Sequence, residues 1–285
     1  MQYDLAKMIG DDRVARGFWW GRAWSLVEGC SPVSPACDHC WSAAQAHMRQ
    51  YQHNPAIRAA NEGLTWLAGT YKGQFNGVVR TRPDLLALPL RTRKPTLWSI
   101  WTDLFHESVP DAFIEEVVDR ITWCPEHVFV ICTKRAQRMR DWTGERVGRT
   151  YFRWPLKNLI LMVTAENQEQ ADERIPWLMK TPAACRAVAI EPALGPVELL
   201  GPHRDYLCGL GRPGGPIVSR GLDWVIIGSE TGRGARPADI EHFRNIRDQC
   251  HRADVPLWAK RSPHGHAAII DGVVYRELPN LGDRP

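Results

Sequence analysis

Beyond residue 95 the chain settles into a rhythm of short apolar runs, at 96–101, 128–132, 159–163, 187–190, 224–227 and 256–259, whose starts lie roughly thirty residues apart. Their apolarity is continuous rather than alternating, as expected of strands covered on both faces in a parallel sheet. Helical patterns fill the intervals. Behind Pro110, residues Phe113, Ile114, Val117, Val118 and Ile121 form one apolar stripe, with Glu115, Glu116, Asp119 and Arg120 opposite. A second runs from Gln168 through Ala171 and Ile175 towards Leu178, with Pro176 as a potential break, and a third carries Ile240, Phe243, Ile246 and Cys250. Strand, helix, strand at this spacing is a repeated βαβ unit. With an early strand at Ser25-Leu26-Val27, six or seven such units predict an α/β fold, a partial or complete β/α barrel, formed by residues 1–285 as a single domain.

The first third is less regular. Residues 42–51 are helix-forming and stop at Asn54-Pro55, and 56–95 predict an irregular flap. Residues 201–221 hold nine Gly or Pro, the composition of a surface insertion.

Within residues 28–41 lie Cys30, Cys37 and Cys40, with six and then two residues between them and Pro32 and Pro35 stiffening the loop. Three thiols so spaced predict a metal site. Two chemistries fit: a structural zinc completed by His39 or His47, or a [4Fe–4S] cluster with one iron left open. The cluster is favoured, because an open iron that binds a small molecule gives three cysteines a reason to lack a fourth.

Composition narrows the setting. The 285 residues, 44% hydrophobic and 24% charged, suffice for a sizeable core. No apolar run approaches a membrane span and the N-terminus lacks signal-peptide order, so no membrane is expected and the cytoplasm is. There the eight cysteines are thiols rather than a disulfide set, with Cys124, Cys132, Cys185, Cys208 and Cys250 read as buried. The net charge of +4 permits a polyanionic partner. Arg80, Arg82, Arg91, Arg93 and Lys94, with Lys134, Arg135, Arg138 and Arg140, suggest a basic track for DNA or RNA beside some of the 13 tryptophans.

In β/α folds the chemistry gathers at the C-terminal ends of strands. Reading each run to its end gives Thr102-Asp103, Thr133-Lys134-Arg135, Glu166-Asn167, Glu191-Pro192, Gly228-Ser229-Glu230 and Lys260-Arg261, every one with an ionisable group. Glu166, Glu191 and Glu230 suit an ammonium group or ribose hydroxyls. Gly228, Gly232 and Gly234 would let a ligand approach the backbone. Asp103, Thr133, Asn167 and Ser229 complete the predicted cofactor side, while Lys134, Arg135, Arg236 and Lys260 would face a substrate carboxylate or phosphate. No catalytic residue stands out.

The three-cysteine loop at one end of a β/α barrel resembles the radical S-adenosylmethionine superfamily. More specifically, the chain resembles the phage Gp37/Gp68-like, three-Cys-motif family (DUF5131). The resemblance rests on Gly29-Cys30 through Cys40-Trp41, the stretch SIWTDLFHESVP at 99–110, Thr133-Lys134-Arg135, Ala165-Glu166-Asn167, Glu191-Pro192-Ala193-Leu194-Gly195-Pro196 and Gly228-Ser229-Glu230-Thr231-Gly232. Departures are the six-residue gap after Cys30 where the superfamily has three, His39 before the third cysteine, Trp41 for a usual Tyr, and Ser229 within a usual Gly-Gly-Glu.

The resemblance implies a radical-type enzyme with a [4Fe–4S] cluster and S-adenosylmethionine. It would generate a 5′-deoxyadenosyl radical to modify a nucleic acid or modified nucleotide, with electrons from a flavodoxin or ferredoxin. The other reading is a non-catalytic, phage-type nucleic-acid-binding protein whose cluster or zinc is structural. Hydrolysis at zinc lacks both the HExxH and the deaminase signatures.

Overall fold

The structure, a computed structural model, describes residues 2–147, 154–201, 204–209, 221–232, 234–260 and 269–281. Seven parallel strands make the central sheet: β1 (Arg22–Trp24), β2 (Leu97–Ile100), β3 (Val128–Thr133), β4 (Leu159–Thr164), β5 (Cys185–Ile190), β6 (Trp224–Ile227) and β7 (Leu257–Ala259). They lie side by side in chain order, in registers such as Ile131 opposite Leu161 and Ile227 opposite Ala259. A sheet wound in one direction with its helices on one face curls, and here it forms a partial β/α barrel. The early strand is displaced from its expected position. Arg22–Trp24 joins the sheet, whereas Val27 and Glu28 pair antiparallel with Arg80–Thr81 and so turn the chain away into the cysteine loop.

Among the described residues the helices of at least nine residues are α1 (Trp41–Arg49), α2 (Asp111–Thr122), α3 (Ala136–Gly144), α4 (Gln168–Lys180) and α5 (Ile240–Ala253). Pro176 sits inside α4 without ending it. Ala171, Ile175, Leu178 and Met179 are buried, and Arg174 is anchored on the Thr164 carbonyl at 3.0 Å, so the helix is held by packing on both sides of the proline. Helix α3 was not expected from the sequence. Short helices over Leu5–Ile9 and Pro55–Asn61 and 3₁₀ turns at Pro83–Leu85 and Pro89–Arg91 fill out the N-terminal part.

The pleat divides the core in two. Phe129, Ile131, Leu161, Val163, Val188 and Ile190 meet the helices, while Val128, Val130, Ile160, Met162, Ala187 and Trp224 face the inside of the curl. There they are plugged by Leu5, Met8, Ile9 and Trp19, and the Trp258 indole donates to the Gly17 carbonyl at 3.3 Å. The plug occupies the end where the strands begin, so the strand C-termini are left to surround a cavity. Of the Gly/Pro-rich stretch, 202–203 and 210–220 lie outside the described residues, as does Arg261. Its described part contributes buried Tyr206 and Leu207 to the core. Among the described residues no helix is long and apolar enough to cross a membrane.

Candidate metal and cofactor site

Gly29 opens the cysteine loop in the left-handed region, at φ 85°, where a Cβ would lie 1.9 Å from the Val78 carbonyl oxygen, so no other residue fits. The chain passes Cys30, makes a 3₁₀ turn at Pro35–Cys37 and enters α1, whose first turn begins directly after Cys40. All three cysteines are free and line one cavity of about 210 Å³, many times the roughly 10–15 Å³ that one water needs. Its floor is the inner face of the sheet, at Cys132, Met162, Thr164 and Ala189, and Trp20, Trp41 and Trp101 form an aromatic wall. The Trp101 ring meets Trp20 at 5.2 Å and Trp41 at 4.8 Å, both edge to face.

The expected strand-end carboxylates are there, but most are committed to the loop. Asp103 accepts from the Thr133 hydroxyl at 2.6 Å, the Lys134 N–H at 3.0 Å and Arg135 Nη1 at 3.1 Å. Arg135 in turn reaches Cys30 Sγ at 3.6 Å and the Ser31 carbonyl at 3.3 Å. Glu166 lies beneath the loop rather than on the cavity: fully buried, it accepts from the Ala36 N–H and from Arg174, each at 3.1 Å. Glu230 binds Arg236 through both carboxylate oxygens, and Arg236 Nη2 donates to the Pro35 carbonyl at 2.8 Å. Arg236 is thus a second tie to the loop and not a cavity-facing cation. Asn167 accepts from the Gln170 N–H as the cap of α4 and does not line the cavity.

Glu191 and Lys260 differ. Both line the cavity, as Asp103, Lys134, Arg135 and Glu230 also do, but their charged ends pair with each other, 2.5 Å apart, and have no hydrogen bond to the cysteine loop. Gly228 makes room for them: a Cβ there would lie 3.3–3.4 Å from both side chains. Ser229 and Thr133 also line the cavity. Thr102, with φ 63°, turns the chain just after β2 and donates to the Val27 carbonyl, fastening the strand end to the stretch before Cys30.

Burial pushes the Cys30 thiol up to about 12, with Asp103 adding to the effect. It also raises Cys40, against the N–H groups of Ala43 and Ser42 at the start of α1. Burial alone would lower the Lys134 ammonium, but Cys37 and Glu166 hold it above its ordinary value. Free of metal, Cys30 is therefore a thiol. A bound cation reverses that preference, because coordination deprotonates a thiol outright.

Thiolates are donors to zinc and to iron–sulfur clusters alike. Each sulfur has partners of its own: Arg135 for Cys30, the Val33 N–H at 3.5 Å for Cys37 and the α1 N-terminus for Cys40. Among the described residues no three His, Cys, Asp or Glu side chains are gathered around one point. A zinc takes its sulfurs directly at about 2.3 Å, and a cubane takes each thiolate on a separate iron. His39 lines the cavity beside the sulfurs; His47 is turned away, bonded to Thr65 Oγ1 at 2.9 Å and to Gln50.

Four of the nine residues of the basic track are paired with acids. Arg82 pairs with Glu28 and Asp84, Arg135 with Asp103 and Glu107, Arg138 with Asp111 and Arg140 with Asp141.

A family model described as "Protein of unknown function (DUF5131)" matches residues 17–271. The chain belongs to this family. The match spans the cysteine loop, all of the strand-end residues above and all seven strands of the central sheet. No curated protein and no solved structure matches the chain.

What sequence reasoning missed was the loop's anchorage. Ser31 Oγ lies 2.9 Å from His106 Nε2, inside the stretch 99–110, and burial together with Arg135 depresses His106 below the ordinary histidine value. The wall of Trp20 and Trp101 was hidden among thirteen tryptophans, most of which looked like core.

Proposed function

We propose that Cys30, Cys37 and Cys40 hold a [4Fe–4S] cluster and that the adjoining cavity binds S-adenosylmethionine, making the chain an iron–sulfur enzyme of the radical type. The observation that carries this reading is that three free cysteines open on the same cavity as Glu191 and Lys260, an acid and a base paired with each other rather than with the loop. When bound, the two groups supply one-electron chemistry: reductive cleavage of a sulfonium carbon–sulfur bond, then hydrogen abstraction.

The chain's own residues bind, orient and exclude water. Glu191 is suited to accept from ribose hydroxyls or an ammonium group, and Lys260 to meet a carboxylate. Trp101 with Trp20 and Trp41 offers ring faces and edges to an adenine and keeps water from the cavity. The clamps through Arg135, Glu166 and Arg236 hold the loop rigid, so that the sulfurs stay in position through a change of cluster charge. A small flavodoxin- or ferredoxin-type donor would deliver the electron.

A second reading, a zinc held by the three cysteines and His39, is favoured by the presence of His39 on the cavity wall. Anaerobic purification separates the two. The cluster predicts brown protein with about four irons per chain. Colour should be lost with each single Cys→Ala change in the loop and kept with Cys124→Ala or Cys250→Ala. Reduction with dithionite in the presence of S-adenosylmethionine should then release 5′-deoxyadenosine. Tightly bound zinc without iron would overturn the cluster assignment.

A further inference from the structure

We propose that the lobe built by residues 41–78 is a binding surface for single-stranded nucleic acid and leads a base towards the cavity. This extends the reading above to its substrate. The lobe displays large side chains that proteins normally bury: Tyr51, Trp66 and Tyr71 are 66, 51 and 61% exposed.

The elements that carry these rings are tied together. The hairpin that carries Trp66 and Tyr71 closes through the Trp66 N–H to the Gln74 carbonyl at 3.0 Å and the Gly73 N–H to the Trp66 carbonyl at 2.9 Å. It is fastened to α1 by Thr65 on His47, and the His47 ring packs against Tyr51 at 5.7 Å. Gln74 also donates to the Asp38 carbonyl, which fixes the hairpin to the cysteine loop. At the other end of α1, Trp41 is 46% exposed and at the same time lines the cavity against Trp101. Helix α1 thus carries an exposed ring at the cavity, Trp41, and leads to Tyr51 just beyond its other end.

Charge selects the occupant. Residues 41–80 contain Arg49, Arg58, Lys72 and Arg80 against the single acid Glu62. Among the described residues Arg49, Arg58 and Lys72 have no acidic partner, in contrast to the paired arginines around β3. Unpaired cations and exposed rings in one lobe suit a chain of phosphates whose bases are free to stack, and a duplex hides the base faces that such rings would meet.

The test is titration of a labelled mixed-sequence single strand, and of its duplex, with the full-length protein without metal or cofactor. Its failure is thus separable from failure of the cluster. The single strand should bind more tightly than the duplex, with a log–log salt slope of about −2 from three phosphate contacts at roughly 0.7 each. Tyr51→Ala, Trp66→Ala and Tyr71→Ala should each weaken binding by roughly fivefold to a hundredfold, about the loss of one stacked base. Trp66→Phe should retain most of the affinity, and Arg49→Glu with Lys72→Glu should flatten the slope. Changing Arg91, Arg93 and Lys94 together to Glu should leave it nearly unchanged. Three results would each overturn the proposal: no binding at micromolar protein and about 50 mM salt, affinity untouched by the aromatic changes, or self-association abolished by those changes without any oligonucleotide binding.

Discussion

Glu166 Oε1 accepts the Ala36 N–H at 3.1 Å across 130 residues of chain. A carboxylate at the end of β4 thereby fixes the middle of the cysteine loop, while its other oxygen holds Arg174, which is itself only 2% exposed. The site is built around this inversion: strand-end acids that could have met a ligand instead position the segment that meets it. Similar ties run from Asp103 through Arg135 to Cys30 and from Glu230 through Arg236 to Pro35.

Glu166→Gln should therefore be a stability variant. It keeps an acceptor for Ala36 but removes the buried counter-charge of Arg174 and leaves only the exposed Glu173, 3.6 Å from Arg174 Nε, a loss approaching the roughly 3–5 kcal/mol of a broken buried pair. Urea unfolding should show the midpoint falling with little change in slope. An unchanged midpoint would mean that the pair contributes nothing and that the acid is free to serve a ligand.

Acid should open the same clamps. Burial alone would raise Glu166, but the Ser34 hydroxyl, Arg174 and the Ala36 N–H outweigh it and hold the carboxyl below its usual range. Glu230 is likewise raised by burial and lowered further by Arg236. Folded values below the unfolded value of about 4.3 mean stability that is present above that pH and is lost as pH falls through the folded values. Thermal unfolding from neutral pH downward should show a decline below about pH 4 that Glu166→Gln makes shallower. An equally steep decline in the variant would assign the acid sensitivity to other groups.

The sheet was legible in the sequence because strands buried on both faces leave continuous apolar runs, and helices α2, α4 and α5 because each presents one buried stripe. Helix α3 was not, since Arg138, Arg140 and Asp141 interrupt Ala136, Met139 and Trp142 and read as a basic patch. At the site, residue types at strand ends announced a polar cavity. Their partners were invisible, because Glu166 and Ala36, or Arg236 and Pro35, meet only through the tertiary fold, the latter pair across 201 residues.

The second arginine clamp should separate loop order from fold. Arg236→Ala removes the donor to the Pro35 carbonyl and frees Glu230, whose side chain is 3% exposed, while Glu166 still holds Ala36. Hydrogen exchange should quicken at residues 34–38 with the β-strand amides still protected. Uniformly faster exchange through the sheet would show that Arg236 supports the whole fold instead.

Glu191 and Lys260 provide the sharpest contrast with the clamps. Their 2.5 Å pair is partly exposed, at 20 and 27% of each side chain, and faces the cavity with no hydrogen bond to the loop. Glu191→Gln should thus leave the unfolding midpoint within about 1 kcal/mol of the parent and leave metal content unchanged. S-adenosylmethionine affinity should fall by roughly tenfold to a hundredfold, the loss expected for one charge-assisted hydrogen bond of about 1.5–3 kcal/mol. Lys260→Met tests the other half, removing a cation while keeping much of its apolar stem. Calorimetric titration of both variants beside Glu166→Gln decides the assignment. Affinity lost only at Glu191 and Lys260, with stability lost only at Glu166, divides the strand ends into ligand groups and loop anchors; unchanged affinity in both cavity variants would make this pair a rim salt bridge.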